Sequence, residues 1–300
     1  MKKRTLWLIL PITILALTAV AILFNLSSPR NSSPLPGMFQ SSRAYQDLEY
    51  QVNLGPRVPG SKAHQQVIDW IQLELKKAGW TPEVIQDVEG GVPVRNIVGR
   101  RETTGRWIIL GAHYDSRFFA DQDIDPSKRN SPVLGANDGA SGVAVLLEIA
   151  RVLPSIPNTQ IWLVFFDMED QGSLSGYDWI LGSRAFARTL PGMPDAVVVI
   201  DMIGDRGLNI YQEQNSTPAL SKEIWDTAAS LGYDKEFIST VKYSILDDHI
   251  PFLRKGIPAV DIIDFDYAYW HTSNDTLDKI SPESLAIVGN TLVKWLVSRK

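Results

Sequence analysis

The chain alternates continuous apolar runs with amphipathic segments from about residue 43 to its end. The runs RNIVGR, RWIILGAH, IWLVFFD, AVVVIDMIG and AVDIID are typical of short strands buried on both faces of a sheet. Helical periodicity occurs after Ser61 as far as Gly79, in SGVAVLLEIARVL, near WILGSRAFA, near 217–231 and in SPESLAIVGNTLVKWLV. This order predicts a single-domain α/β fold with a doubly wound, mainly parallel (mixed) central sheet and helices on both faces.

The N-terminal region has a different pattern. No charged residue occurs in residues 5–29, and their long apolar stretch follows the basic start KKR. A span of about 20 apolar residues crosses a bilayer, whereas the apolar part of a cleavable signal has about 7–15. We therefore predict a signal anchor at 1–29, a Ser/Pro-rich linker at 30–42 and an extracytoplasmic catalytic domain at 43–300. If the N-terminal segment is cleaved, the protein is secreted instead.

Composition narrows the possible chemistry. The net charge of −5, without a basic cluster, argues against a nucleic-acid partner. The absence of cysteine excludes disulfide frameworks, thiolate nucleophiles and Cys-ligated metals. Serine hydrolases and dinucleotide-binding proteins are excluded because the chain has neither a G-x-S-x-G elbow nor a G-x-G-x-x-G loop after a strand. A metal site would therefore use Asp, Glu and the four histidines.

Polar residues follow the predicted strands at the points where the strands end. In an open α/β sheet, ligands bind beyond the carboxyl ends of the strands. Three strands and two flanking loops bring only His, Asp and Glu to this edge, a pattern that favours a metal site. These residues are His113, Asp115, Asp138, Glu169, Asp170, Asp201 and His271.

Several of these residues also have a structural interpretation. His113 could pair with the neighbouring Asp115, and Asp138 could cap the helix that follows it. Asp201 is harder to explain in this way, because an unpaired carboxylate in an apolar strand is costly. His249 is interpreted as a structural histidine near the site, and His64 is assigned no chemical role.

An ordered series of motifs resembles a known superfamily. The motifs are GPRVPGSKAH, GAHYDSR, GANDGASGVAVLLEIAR, FFDMED, GSR, IDMIG, DDHIPFLRKGIP and WHTSNDTLD. Together they resemble the zinc-dependent exopeptidases of metallopeptidase clan MH, which include two-zinc aminopeptidases and animal-type glutaminyl-peptide cyclotransferases. The resemblance extends over about residues 43–300 and implies a zinc exopeptidase-like fold.

The cyclotransferase branch is the favoured interpretation. The full DDHIPFLRKGIP segment resembles that branch, and the Glu169-Asp170 pair also occurs in its bacterial members. Trp270 and Trp179 resemble tryptophans that line the substrate pocket of such enzymes. The resemblance implies one zinc on Asp138, Asp170 and His271, a proton shuttle at Glu169, and an acid network of Asp201 and Asp248.

The expected reaction converts an N-terminal Gln of a peptide or protein to pyroglutamate and releases ammonia, with zinc as Lewis acid. Attack by the substrate's own amine is intramolecular and requires no water. The aminopeptidase branch is the alternative, and it implies two zincs. There His113 and Asp201 would hold one ion, Asp170 and His271 the other, with Asp138 bridging and Glu169 as general base. A non-catalytic scaffold of the same fold is a further alternative.

Overall fold

The computed structural model describes residues 38–101, 103–174 and 176–299. The predicted anchor at 1–29 and most of the predicted linker therefore lie outside the described residues. Within these three ranges, no helix combines the length and apolar character that a membrane span requires.

The described chain alternates helices and strands in the predicted manner. The strands are β1 Thr81–Glu89, β2 Val92–Arg100, β3 Arg106–His113, β4 Thr159–Phe166, β5 Ala196–Asp201, β6 Ile210–Gln212, β7 Phe237–Val241 and β8 Ala259–Ile263. The helices are α1 Ser41–Asn53, α2 Lys62–Lys77, α3 Ala140–Val152, α4 Leu181–Thr189, α5 Pro218–Ser230, α6 Ile250–Arg254 and α7 Pro282–Ser298. Short 3-10 turns occur at Pro126–Lys128 and Leu277–Lys279.

The central sheet has six strands in the order β1-β2-β4-β3-β5-β8. Strands β4, β3, β5 and β8 run parallel to one another, while β2 is antiparallel to both of its neighbours. Strands β6 and β7 form a separate parallel pair. The predicted mainly parallel, mixed sheet is therefore confirmed.

Both faces of the sheet are covered by helices. Along β3, Ile108 and Leu110 belong to a large core to which α1, α2, α3, α5 and α7 contribute. Ile109, between them, belongs to a second core with Phe186 of α4 and Phe252 of α6. Successive residues of a strand point to opposite faces, so this division shows the doubly wound arrangement that the continuous apolar runs predicted.

The folded domain begins earlier than residue 43. Helix α1 starts at Ser41, and Phe39 packs so closely on α7 that a Cβ on Gly289 would lie 2.1 Å from its ring. The backbone N–H of Gln40 donates to Glu148 Oε1 at 3.0 Å. The predicted linker is rich in Ser and Pro, and this composition gave no sign that its aromatic residue, Phe39, packs on the core.

Candidate metal centre and substrate pocket

The carboxyl edge of the sheet brings three strand ends together. His113 at the end of β3 lies in register with Phe166 of β4, so the residues that follow β4 emerge beside it. Strand β5 pairs with the other side of β3 and ends at Asp201. This edge is the position that the sequence predicted for the acidic and His residues.

A first set of three metal-ligating side chains consists of Asp138, Asp170 and His271, whose ligand atoms all lie within 4.8 Å of one another. His271 Nε2 lies 2.8 Å from Asp170 Oδ1 and 3.7 Å from Asp138 Oδ2. All three residues are buried. Two carboxylates and one imidazole are suitable ligands for zinc, and a three-residue set leaves a position for substrate.

A second set shares Asp138 with the first and adds His113 and Asp201. His113 Nε2 lies 3.0 Å from Asp138 Oδ1 and 3.1 Å from Asp201 Oδ1. Asp138 thus turns one carboxylate oxygen towards each set. The structure brings together every residue that the sequence analysis proposed as a metal ligand.

The surplus of buried carboxylates raises several pKa values at this edge. Burial and the charge of Asp138 raise the pKa of Asp170 to about 6. Burial, opposed by His113, raises the pKa of Asp201 to about 7. Burial is also the main reason why the pKa of Glu169 lies well above its ordinary value. A bound cation would relieve this mutual repulsion, so the electrostatics favour a metal at the site.

The loop that carries Asp138 is held by a buried carboxylate, Asp275. Its oxygens accept the backbone N–H groups of Asn137 at 2.8 Å and Asp138 at 3.2 Å, and Tyr267 donates to it at 2.7 Å. Asp275 is not among the site residues predicted from the sequence. Its position in the SND triplet shortly after His271 is the only signal that the sequence offers.

Two glycines allow helix α3 to begin directly against the strand ends. A Cβ on Gly139 would lie 2.6 Å from the backbone oxygen of His113. A Cβ on Gly142 would lie 2.6 Å from the backbone oxygen of Ile200. Neither distance is compatible with a side chain, which accounts for the small residues in GANDGASG.

Asp115 fixes the loop after β4. It accepts hydrogen bonds from the backbone of Glu169 at 3.2 Å and Asp170 at 3.4 Å and from Gln171 Nε2 at 2.9 Å. His113 Nδ1 lies 3.4 Å from the same carboxylate. Asp115 therefore orients a member of the second set and the two acids of the FFDMED motif, without facing the cavity itself.

Left-handed backbone conformations occur beside the candidate residues. Met168 precedes Glu169 with φ 55°, Met202 follows Asp201 with φ 48°, and His271 itself has φ 55°. Such conformations are unfavourable for residues other than glycine and persist where the surrounding structure holds them. A left-handed residue changes the direction of the backbone, so the side chains next to it point in directions that differ from those in a regular strand.

Two tryptophans stack on His271. The ring of Trp270 lies 3.7 Å from the imidazole centroid with an interplanar angle of 25°, and that of Trp179 lies 5.8 Å away at 14°. Trp179 also contacts the Arg117 guanidinium at 5.0 Å. Arg117 is a residue that the sequence analysis missed, and it also donates to the backbone oxygen of Asp170 at 2.8 Å.

The first ligand set and the two tryptophans line one cavity of about 230 Å³. Its lining residues are Asp138, Glu169, Asp170, Trp179, Asp201, Met202, Tyr243, Ser244, Ile245, Leu246, Asp247, Ile263, Phe265, Trp270 and His271. The cavity therefore combines a metal-ligating set, three additional carboxylates and aromatic walls. His113 belongs to the second ligand set but does not line the cavity.

The acid of the DDHIPF motif that lines the cavity is Asp247, whereas the sequence analysis chose Asp248. Asp248 is 1% exposed and does not line the cavity, although its charge acts together with that of Asp247 to raise the pKa of Glu169. The two acids are consecutive in a segment without regular structure, so no periodicity indicated which of them would face the cavity.

The remaining histidines lie apart from the two ligand sets. His64 Nε2 lies 2.8 Å from Asp167 Oδ1, and His249 Nε2 lies 3.2 Å from Glu213 Oε2. His249 also belongs to a third buried group with Asp247 and Asp261, which the sequence analysis did not predict. Both histidines thus have carboxylate partners and lie outside the cavity wall.

A family model described as Peptidase family M28 matches residues 96–296, which include both ligand sets and the cavity. The chain belongs to Peptidase family M28. The resemblance predicted from the motifs is therefore confirmed, as is the zinc exopeptidase-like fold.

The proteins similar to this chain include glutaminyl cyclotransferases and an exopeptidase. A glutaminyl-peptide cyclotransferase of Bos taurus is 29% identical over 276 residues, which are 77% of this chain and 74% of that protein. The crystal structure of Tannerella forsythia glutaminyl cyclase is 36% identical, with a TM-score of 0.81, over 88% of this chain and 100% of that one. A Zn-dependent exopeptidase from Parabacteroides distasonis is 32% identical, with a TM-score of 0.84, over the same shares.

Proposed function

We propose that this M28 protein is a glutaminyl-peptide cyclotransferase, which converts the N-terminal Gln of peptides or proteins to pyroglutamate and releases ammonia. The observation that carries the proposal is the small cavity in which Glu169, the first ligand set and two tryptophans meet. The glutaminyl cyclase similar to this chain over 88% of its length supports the same interpretation.

The cavity suits a short side chain folded back on its own amine. A volume of about 230 Å³ is small for a ligand pocket, since those of drug-sized ligands have about 300–1,000 Å³. Trp270, Trp179 and Phe265 give it flat apolar walls, which favour a compact, nearly planar five-membered ring. The polar lining includes the ligand set, Glu169, Asp201 and Asp247.

The metal of the proposal is one zinc ion, held by Asp138, Asp170 and His271. Bound there, zinc supplies a Lewis acid for the γ-carbonyl of the substrate. Holding the α-amine close to that carbonyl makes the attack intramolecular, which is worth up to about 7–11 kcal/mol of the barrier. The residues of the pocket therefore have to orient the Gln side chain and exclude water, and they do not have to activate a water molecule.

Glu169 is the proposed proton shuttle. The α-amine nitrogen forms a bond to the carbonyl carbon of the γ-carboxamide, and the bond between that carbon and the amide nitrogen breaks. The Glu169 carboxylate takes the proton from the amine and returns it to the departing ammonia. A buried carboxylate with a raised pKa suits both halves of this transfer, because it is a stronger base towards the amine than an ordinary carboxylate.

Asp201 and Asp247 are proposed to bind the substrate amide nitrogen. Both line the cavity, and the charge of Asp247 contributes to the raised pKa of Asp201. Two such carboxyl groups can share one proton, with one accepting from the amide N–H. Asp248, the acid chosen from the sequence, remains a prediction for an indirect role behind this pair.

An aminopeptidase is the second candidate function. The observation that favours it is the second ligand set, His113 and Asp201 with the shared Asp138. The exopeptidase with a TM-score of 0.84 is similar to this chain over 88% of its length. Two metal ions and an activated water would then replace the intramolecular attack.

One experiment separates the two functions. The purified protein is offered a mixture of a Gln-initiated and a Leu-initiated peptide, and the products are analysed by mass spectrometry. We expect the Gln peptide to lose one ammonia, with the chain lengths of both peptides unchanged. Free leucine as the main product would favour the aminopeptidase, and an unchanged mixture with zinc bound would favour the scaffold.

We also propose that residues 1–29 anchor the protein in a membrane with the catalytic domain outside the cytoplasm. The uncharged stretch of residues 5–29 after a basic start supports this. The full chain should fractionate with membranes, and added protease should reach the domain only from the extracytoplasmic side. A soluble form that begins after residue 20 would contradict the anchor.

A further inference from the structure

Five consecutive residues form one side of the cavity. Residues 243–247, hereafter the pocket wall, lie in the connection between β7 and α6 and form neither a helix nor a strand. The wall includes Asp247, and Leu246 remains 48% exposed although it lines the cavity. A segment of this kind lacks the regular backbone hydrogen bonds of a helix or sheet, so its N–H and C=O groups need partners in other parts of the chain.

Glu213, just after β6, provides such a partner from behind the wall. It is only 3% exposed. Its Oε1 accepts from the backbone N–H of Ile245 at 2.9 Å and from Asn215 Nδ2 at 2.7 Å. Its Oε2 accepts from the N–H and hydroxyl of Ser216 at 2.8 and 3.0 Å and lies 3.2 Å from His249 Nε2. One side chain thus joins three segments of the chain.

Further hydrogen bonds to the wall come from the same turn. Gln214 donates its backbone N–H to the carbonyl of Tyr243 at 2.7 Å. Asn215 Nδ2 donates to Ser244 Oγ at 3.0 Å and to the carbonyl of Ile245 at 3.3 Å. Glu213 closes this turn through Ser216, so loss of its carboxylate would affect these bonds as well.

The charge of Glu213 is compatible with this role. Burial opposes ionisation, but the hydrogen bonds from His249, Asn215 and Ile245 outweigh it and lower the pKa to about 2. An ionised carboxylate accepts at both oxygens, and its hydrogen bonds are about twice as strong as neutral ones. Neither Glu213 nor Ser216 lines the cavity, so neither contacts the substrate there.

We propose that Glu213 is a positioning residue that holds the pocket wall in the shape that binds the peptide N-terminus. The inference rests on the proposed function in so far as the cavity is the site of peptide binding. It assigns His249 a purpose as well, because this histidine links the carboxylate to the start of α6. Substrate binding, rather than proton transfer at Glu169, is then the step that Glu213 controls.

The test is Glu213→Gln. The amide keeps the shape, but its nitrogen cannot accept, so the donors at one of the two positions lose their acceptor. We expect KM for a Gln-initiated peptide to rise about tenfold or more, because the loss of one charge-assisted hydrogen bond has an effect of this size. The value of kcat should stay within about threefold of the wild type, and the metal content should be unchanged. Amide hydrogen exchange should accelerate in a peptide that covers 243–247 but not in one that covers β4.

The matched control is Glu83→Gln on β1, a Glu whose side chain is 53% exposed and pairs with Arg100. It should change neither KM nor exchange of the wall. An unchanged KM together with a lower melting temperature for Glu213→Gln would overturn the proposal and leave a purely structural role. Accelerated exchange throughout the chain would do the same.

Calorimetric binding of the peptide keeps this inference separate from the proposed function. If the wild-type protein releases no ammonia, the cyclotransferase proposal fails, whereas the wall is still tested by the dissociation constant of the peptide. A weaker binding constant in Glu213→Gln than in Glu83→Gln supports the positioning role, and equal constants overturn it.

Discussion

Two buried histidine–carboxylate groups in this protein differ in how completely they are paired. In the first, His64 Nε2 contacts one oxygen of Asp167 at 2.8 Å, and the backbone N–H of Arg95 donates to the other at 2.8 Å. His64 Nδ1 has Arg95 within 3.0 Å, and Tyr114 stacks on the ring. Every polar atom of this pair has a partner, so nothing further is needed to stabilise it.

At the carboxyl edge of the sheet the balance is different. His113 faces three carboxylates, Asp115, Asp138 and Asp201. His271 faces three further carboxylate oxygens, on Asp121, Asp138 and Asp170. Here acceptors and negative charge exceed the donors that the protein supplies. A contact between His and Asp is therefore a poor indicator of a metal site, whereas a surplus of buried carboxylates around a His is a good one.

Removal of a ligand from the first set should have the largest effect. His271→Ala takes away the only imidazole of that set, so we expect zinc to be lost on dialysis and turnover to fall by about 10³-fold or more. Metal analysis and an ammonia-release assay measure both. Full zinc content in this variant would show that the surplus of carboxylates, and not this ligand set, holds the ion.

Glu169→Gln should have the next largest effect. The amide keeps the shape of the side chain but cannot shuttle a proton, a contribution of about 10²–10⁴-fold in rate. Zinc content and melting temperature should remain close to those of the wild type, because Glu169 is not in either ligand set. Near-normal turnover would remove Glu169 from the mechanism.

His113→Gln distinguishes the one-zinc from the two-zinc hypothesis. With one zinc, His113 only supports the ligand Asp138 through its 3.0 Å contact, and loss of such a partner costs about 10–100-fold in activity or metal affinity. At saturating zinc the stoichiometry would stay at one ion per chain. A fall from two ions to one would instead identify His113 as a ligand.

His64→Gln should have the smallest effect on chemistry. It disrupts the fully paired group and leaves a buried Asp167 oxygen short of a partner, a loss of about 1–3 kcal/mol in the free energy of unfolding. Urea titration measures that loss, while zinc content and kcat should equal those of the wild type. A loss of zinc in this variant would mean that the two groups are coupled, and the contrast between them would no longer hold.

The sequence predicted the parallel strands well because burial on both faces produces uninterrupted apolar runs, as in β3 to β5. It missed β1, the edge strand, since none of the residues from Thr81 to Glu89 is fully buried and no such run occurs. It also missed α1, whose apolar positions are few within SSRAYQDLEYQVN. Elements that are only partly covered leave a weaker pattern in the sequence.

For the site, residues at strand ends were predictable because topology alone brings them to one edge. Residues on irregular segments were not. Asp248 was chosen where Asp247 lines the cavity, and Asp275 and Glu213 act through backbone N–H groups that no motif indicates. Their positions follow from the path of connecting segments, which depends on the whole fold rather than on local periodicity.

The start of α3 limits how this pocket can be redesigned. At Gly139 and Gly142 helix and strand meet backbone to backbone, so not even a methyl group can be added to this floor. The side chains of Trp179, Leu246 and Phe265 line the cavity without belonging to either ligand set. Libraries that seek new substrates should therefore randomise Trp179, Leu246 and Phe265 and leave the floor unchanged, because the floor positions Asp138 and the strand ends that carry the ligand sets.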